Sequence, residues 1–139
     1  MRLVIDTNVL VSALLSGTSL PAHLVILWRE GKFDLLTSAE QLDELMRVSR
    51  YPKIRERLTP ALAGRLINEL RDVAIVMKKL PEVTVCDDPY DNYLLATAGA
   101  GAADFLITGD KRDLLKLKLY ENTKIVTVRD FLTLCGRMP

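Results

Sequence analysis

With 139 residues, 49% of them hydrophobic and 27% charged, the sequence can build one hydrophobic core without disulfides or a structural metal. A formal net charge of +1 excludes a globally basic field or a polyanion-binding tail, so any nucleic-acid contact must come from a local patch. The two cysteines, Cys86 and Cys135, fit neither a zinc spacing nor a disulfide framework, and reduced thiols in a cytoplasmic protein are expected.

The chain opens with a short apolar run, Leu3 to Ile5, ending in Asp6, which predicts a buried strand. Charges flank that run on both sides, and it is too short for the apolar stretch of a signal peptide. No window approaches the ~18 uninterrupted apolar residues of a membrane span, so no membrane partner is expected. Asn8 to Leu15 reads as a short helix closed by the turn at Ser16, Gly17 and Thr18. A second helix starts at Ser19, with Pro21 in its first turn, and stops at Gly31. Leu24, Leu27 and Trp28 share its core-facing side.

Phe33 to Leu36 is the next strand, followed by Ser38 and Gln41 at capping-box spacing. The helix they open places Leu42, Leu45, Met46 and Ser49 on one buried stripe and ends near Tyr51 and Pro52. Thr59 and Pro60 open a helix to about Asp72, and Val73 to Met77 reads as a strand. Asp88 and Pro89 cap a helix ending around Gly99 to Gly101. Phe105 to Ile107 and Ile125 to Val128 are the last two strands, with a terminal helix from about Arg129. Segments 52–60 and 78–89 read as surface connections. Strands alternating with helices predict a parallel sheet covered on both faces, in one domain spanning residues 1–139.

Acidic residues fall where such a fold does chemistry. Ligands of an open parallel sheet bind beyond the carboxyl ends of its strands. Asp6 directly follows the first strand and Asp110 the fourth, so both face one edge if those strands are neighbours. Glu44 borders the buried stripe of its helix, about 100° from Leu45; Asp43 is its nearest competitor. Asp91 is the third residue of a helix capped by Asp88, and can either close a capping box or project into a site. Carboxylates gathered without paired bases repel one another and persist only when neutralised, and a hard cation such as Mg²⁺ or Mn²⁺ does so through oxygen ligands. The basic run Arg47, Arg50, Lys53, Arg55 and Arg57 follows Glu44, and Lys111 and Arg112 follow Asp110; each is either a solvated face or a phosphate-contacting rim. His23 is the only histidine, and nothing around it suggests a nucleophile. No phosphate-binding loop or dinucleotide fingerprint is present.

Val4-Ile5-Asp6-Thr7-Asn8, the helix bearing Glu44 and Leu45, Asp88-Pro89-Tyr90-Asp91-Asn92 with Leu95 to Ala98 after it, and Ile107-Thr108-Gly109-Asp110 together resemble PIN-domain nucleases. With Ser49-Arg50-Tyr51-Pro52-Lys53, the sequence is most similar to the branch that supplies toxins of prokaryotic toxin–antitoxin pairs. The resemblance covers nearly the whole chain. It implies a three-layer α/β/α fold with a central parallel sheet of four to five strands. It also implies a metal-dependent endoribonuclease whose Asp6, Glu44, Asp91 and Asp110 hold Mg²⁺ or Mn²⁺. Asn8, Thr108, Asp88 and Asp113 would support that quartet, and Arg47, Lys53 and Lys111 would hold the RNA. Water would attack phosphorus in line, leaving a 5′ phosphate and a 3′ hydroxyl. A homodimer and a cognate antitoxin are implied as partners.

Two other protein classes place acids beyond a parallel sheet. A haloacid-dehalogenase-like phosphatase needs a second acid two residues after the first, where this chain has Asn8. A two-component receiver needs a lysine near the end of its last strand, whereas Lys124 precedes the final strand here. A non-catalytic RNA- or protein-binding module on the same fold remains the alternative.

Overall fold

The computed structural model describes residues 1–109 and 111–137. Strand β1 (Arg2–Ile5) leads into helix α1 (Thr7–Leu15), and α2 (Leu20–Arg29) returns the chain to β2 (Asp34–Ser38). Helices α3 (Ala39–Ser49), α4 (Pro52–Arg55) and α5 (Pro60–Val73) follow, then β3 (Ile75–Met77). After an irregular stretch come α6 (Pro89–Ala100), β4 (Phe105–Thr108), α7 (Arg112–Leu117), the short β5 (Leu119–Tyr120), β6 (Thr123–Thr127) and α8 (Val128–Arg137).

The six strands form one sheet in the order β3-β2-β1-β4-β6-β5. All neighbours are parallel except β5 and β6. The expected sheet of four to five strands therefore gains an antiparallel edge. Two residues carry no detectable alternation, and the turn after them depends on Glu121 at a φ of 53°, which a glutamate gives no hint of adopting.

Alternation along the strands builds the layers. Leu3, Ile5, Leu35 and Ile107 point to one face, where they pack with Leu10, Leu24, Trp28, Leu45, Leu66 and Phe131 of the flanking helices. Val4, Leu36, Leu106 and Ile125 point to the other, against Leu94, Leu95 and Ala98 of α6 and Leu114 of α7. Each such side chain taken from water stabilises the fold by about 1.5–3 kcal/mol. No single helix among the described residues is long and apolar enough to cross a membrane.

Helix starts follow the expected chemistry. Ser19 accepts from the Ala22 N–H at 3.2 Å, Thr59 from the Leu62 N–H at 3.4 Å, and Ser38 from the Gln41 N–H at 3.1 Å. The second half of the Ser38 box is missing, because the Gln41 side chain turns inward instead. Leu42, Leu45 and Ser49 are buried as expected, but Met46 is 38% exposed beside the cleft between α3 and α5. Segment 52–60, expected as a connection, contains α4, whose four residues show no apolar stripe.

Gly101 ends α6 where it meets the sheet. A Cβ there would stand 2.5 Å from Cδ1 of the fully buried Leu36. Gly101→Ala is expected to cost about 1–3 kcal/mol through overpacking, read as a lower urea midpoint with an unchanged slope.

The order of the strands locates the site. The chain moves outward from β1 through β2 to β3, then returns across β1 to lay down β4 on its other side. Connections leaving the carboxyl ends of β1 and β4 diverge, and the crevice between them is the switch point where such sheets bind ligands.

Candidate active site

Asp6 stands at that crevice. It follows β1, its backbone N–H donates to the Ile107 carbonyl of β4 at 2.8 Å, and its side chain caps α1. Oδ1 accepts from the Asn8 N–H at 3.2 Å, and Oδ2 accepts from the Thr108 hydroxyl at 2.8 Å. The carboxylate is only 2% exposed, yet it lines a cleft of about 440 Å³ with Asn8, Ser12, Gly109 and Lys111. Both oxygens are thus oriented by donors from two elements and held at the floor of an open cleft.

Asp91 approaches from α6 on the far side of Lys111. Asp88 caps that helix, accepting from the Tyr90 N–H at 2.9 Å. Asp91 does not close a capping box: its Oδ1 accepts from Lys111 Nζ at 2.8 Å, and Asp88 Oδ2 lies 3.6 Å from the same ammonium. Asn92 anchors the loop before the helix, accepting from the Cys86 N–H and donating to the Cys86 carbonyl, each at 2.8 Å. A second cleft, lined by Asp88, Asp91, Lys111, Arg112 and Asp113, opens on this side. Lys111 lines both clefts and forms the wall between them.

Burial pushes the Asp91 carboxyl above its ordinary value; Lys111 opposes the shift, while Asp88 and Asp6 add to it. Burial also raises Glu44, with Asp6 adding to the rise and Thr7, Lys111 and Arg47 opposing it. Glu44, Asp91, Asp6 and Lys111 therefore belong to one electrostatic group. The Lys111 ammonium loses hydration, but its bond to Asp91 and the nearby charges of Asp6 and Asp88 outweigh that loss and hold it above its ordinary value.

Two residues outside the expected set shape this group. Gln41, buried under the crevice, donates to the Ile5 carbonyl at 2.6 Å and accepts from the Thr37 hydroxyl at 2.6 Å. It ties the ends of β1 and β2 together immediately before Asp6. Thr7, 1% exposed, faces Glu44 and contacts Gln41 Nε2 at 3.5 Å. The capping-box spacing singled out Gln41 for the wrong contact, and Thr7 carried no signal beyond its place in the opening motif.

The other expected residues divide. Thr108, Asn8 and Asp88 touch the group directly, and Asp113 lines the second cleft. Arg47 lies close enough to Glu44 to act on its charge. Lys53 is exposed on α4, with no salt bridge among the described residues. Asp43 is exposed. Asp110 lies outside the described residues.

Hard carboxylate oxygens suit Mg²⁺ or Mn²⁺, and the Lys111 ammonium already serves as a cation among them, so the donor set fits such an ion. Among the described residues, no three acids converge into a ready cage.

The chain belongs to the PIN domain family, whose model matches residues 2–112 and so takes in Asp6, Glu44, Asp91 and Lys111. PIN domains are generally nucleases and typically use divalent metals. The sequence is also 31% identical over 119 residues to an uncharacterized protein of Methanocaldococcus jannaschii, MJ1680, a match covering 85% of this chain and 76% of that protein.

The raised carboxyls have a consequence for stability. A carboxyl that holds its proton more tightly when folded favours the fold below its unfolded value, and that contribution is lost as pH rises through the folded one. Glu44→Gln should therefore be more stable than the parent at neutral pH without metal, with the gap closing below the ordinary value of 4.5. Urea titrations at the two pH values measure this; equal gaps at both would contradict it.

Proposed function

We propose that this chain is a metal-dependent endoribonuclease and the toxin component of a toxin–antitoxin pair. The observation carrying the catalytic reading is that Lys111, paired with Asp91, lines one cleft with the buried Asp6 at the switch point. In this reading Asp6, Glu44, Asp91 and Asp110 hold Mg²⁺ or Mn²⁺. The bound ion would neutralise charge on the scissile phosphate and make a nearby water more acidic.

The chain's own residues do the rest. Thr108 and the Asn8 N–H fix the Asp6 carboxylate, so it needs no reorganisation when substrate enters. Glu44, near enough to Asp6 to feel its charge, either ligates the ion or orients the attacking water. Asp91 completes the site from α6, and Asp88 and Asp113 border its second cleft. Arg47 and Lys53 contact phosphates along the approaching strand. The toxin assignment rests on the resemblance in Ser49 to Lys53 and the acidic motifs, and with it come a cytoplasmic location, a homodimer and a cognate antitoxin.

Incubation of the purified protein with mixed single-stranded and structured RNAs tests the reading, using Mn²⁺, Mg²⁺ and EDTA in parallel. Cutting with metal, abolished by EDTA and leaving 5′ phosphates, is expected. No cutting with either metal would favour the non-catalytic binding module.

A further inference from the structure

Beside the acids lies a cluster that takes no part in holding the ion. Arg47 follows Glu44 by almost one turn of α3, and its guanidinium contacts two tyrosines. Its Cζ stands 4.8 Å from the ring centroid of Tyr90 and 5.7 Å from that of Tyr51, and Nη1 also contacts the Tyr51 hydroxyl. Tyr90 is the residue before Asp91 and packs edge-on against Tyr93, with ring centroids 5.8 Å apart. Arg47 thus bridges the helix carrying Glu44 and the helix carrying Asp91.

Packing alone does not account for it. An exposed cation–π contact is worth only about 0.5–1 kcal/mol, a small return for holding so long a side chain in place. Arg47 is exposed, and among the described residues no carboxylate lies within salt-bridge distance of it. Tyr51 is 43% exposed and Tyr93 38%, so flat aromatic surface is left open to solvent next to a fixed positive charge. This is the combination that single-stranded nucleic acid uses: aromatic and guanidinium planes for its bases, cationic groups for its backbone. A duplex keeps its bases stacked on one another and cannot offer them.

We infer that Tyr51, Arg47 and Tyr90 form a stacking subsite for an unpaired base adjoining the acidic centre. The inference deepens the nuclease reading and rests on it for the position of the scissile phosphate.

Binding without cleavage separates the two. Fluorescence anisotropy with the purified protein in EDTA would compare a labelled oligoadenylate, an abasic ribose-phosphate oligomer of equal length, and a hairpin duplex. The parent should bind oligoadenylate about tenfold more tightly than the abasic strand or the duplex. Tyr51→Leu should bring that ratio near one while leaving abasic affinity within about twofold, and Tyr51→Phe should keep the preference. A circular-dichroism melt of each variant guards against a folding defect. A parent that binds the abasic strand as tightly as oligoadenylate, or a Tyr51→Leu variant that keeps the preference, overturns the subsite. Base preference in EDTA combined with no cutting under any metal leaves the subsite standing and removes the nuclease reading alone.

Discussion

Asp6→Asn should reduce metal-dependent RNA cleavage by at least about a hundredfold while leaving the fold intact. Each Asp6 oxygen has an assigned donor, the Asn8 N–H for Oδ1 and the Thr108 hydroxyl for Oδ2. An asparagine can keep its oxygen towards Asn8 and turn its amide towards Thr108, whose hydroxyl can accept as well as donate. Neither partner is orphaned, so a wholesale loss of structure is not expected. What disappears is a negative charge at the switch point. That charge also presses on Glu44 and Asp91, raising both, so its removal relieves repulsion in the metal-free protein. The variant should therefore melt at or slightly above the parent temperature in EDTA and gain less from added Mn²⁺. Cleavage at the parent rate would sink the assignment of Asp6.

The position of Asp6 was legible because two local rules coincide there: a three-residue apolar run marks the strand, and the carboxyl end of a parallel strand marks the ligand edge. The sequence left open whether β1 and β4 are neighbours; their parallel register, Ile5 opposite Ile107, makes them so. The α6 start was equally plain, since Asp88 followed by Pro89 has few other uses. Contacts between distant segments were not legible. Lys111 meets Asp91 across 20 residues, and Gln41 reaches Ile5 across 36, and neither distance leaves a periodic trace in the chain. Lys111, read from the sequence as a residue that holds RNA, turns its ammonium towards Asp91 and Asp88. Small elements escaped for a different reason. Helix α7 has six residues and β5 two, lengths at which tertiary packing rather than pattern decides conformation. Met46 shows the limit of helical stripes: it has the right spacing but sits where α3 borders a cleft.

Lys111→Met should destabilise the metal-free protein by about 2–3 kcal/mol at neutral pH. The loss should fall short of that for a fully enclosed pair, because the ammonium is 26% exposed although the Asp91 carboxylate is only 4% exposed. Without Lys111, Asp91 keeps every influence that raises it, namely burial and the charges of Asp88 and Asp6, and loses the one that lowers it. The sign of the pH dependence follows. A carboxyl raised in the folded state costs stability once it ionises, so the deficit of the variant should be full at neutral pH and fade on acidification, as Asp91 takes up its proton. Methionine keeps most of the length and apolar stem of lysine, so lost packing contributes little. Added Mn²⁺ should separate this charge effect from a general folding defect. In the parent the ammonium competes for Asp91; in the variant that competitor is gone, and the rise in melting temperature on adding Mn²⁺ should be larger than in the parent. A variant as stable as the parent at neutral pH, or one whose deficit persists unchanged in acid, would show that Lys111 is not the counterion of this centre.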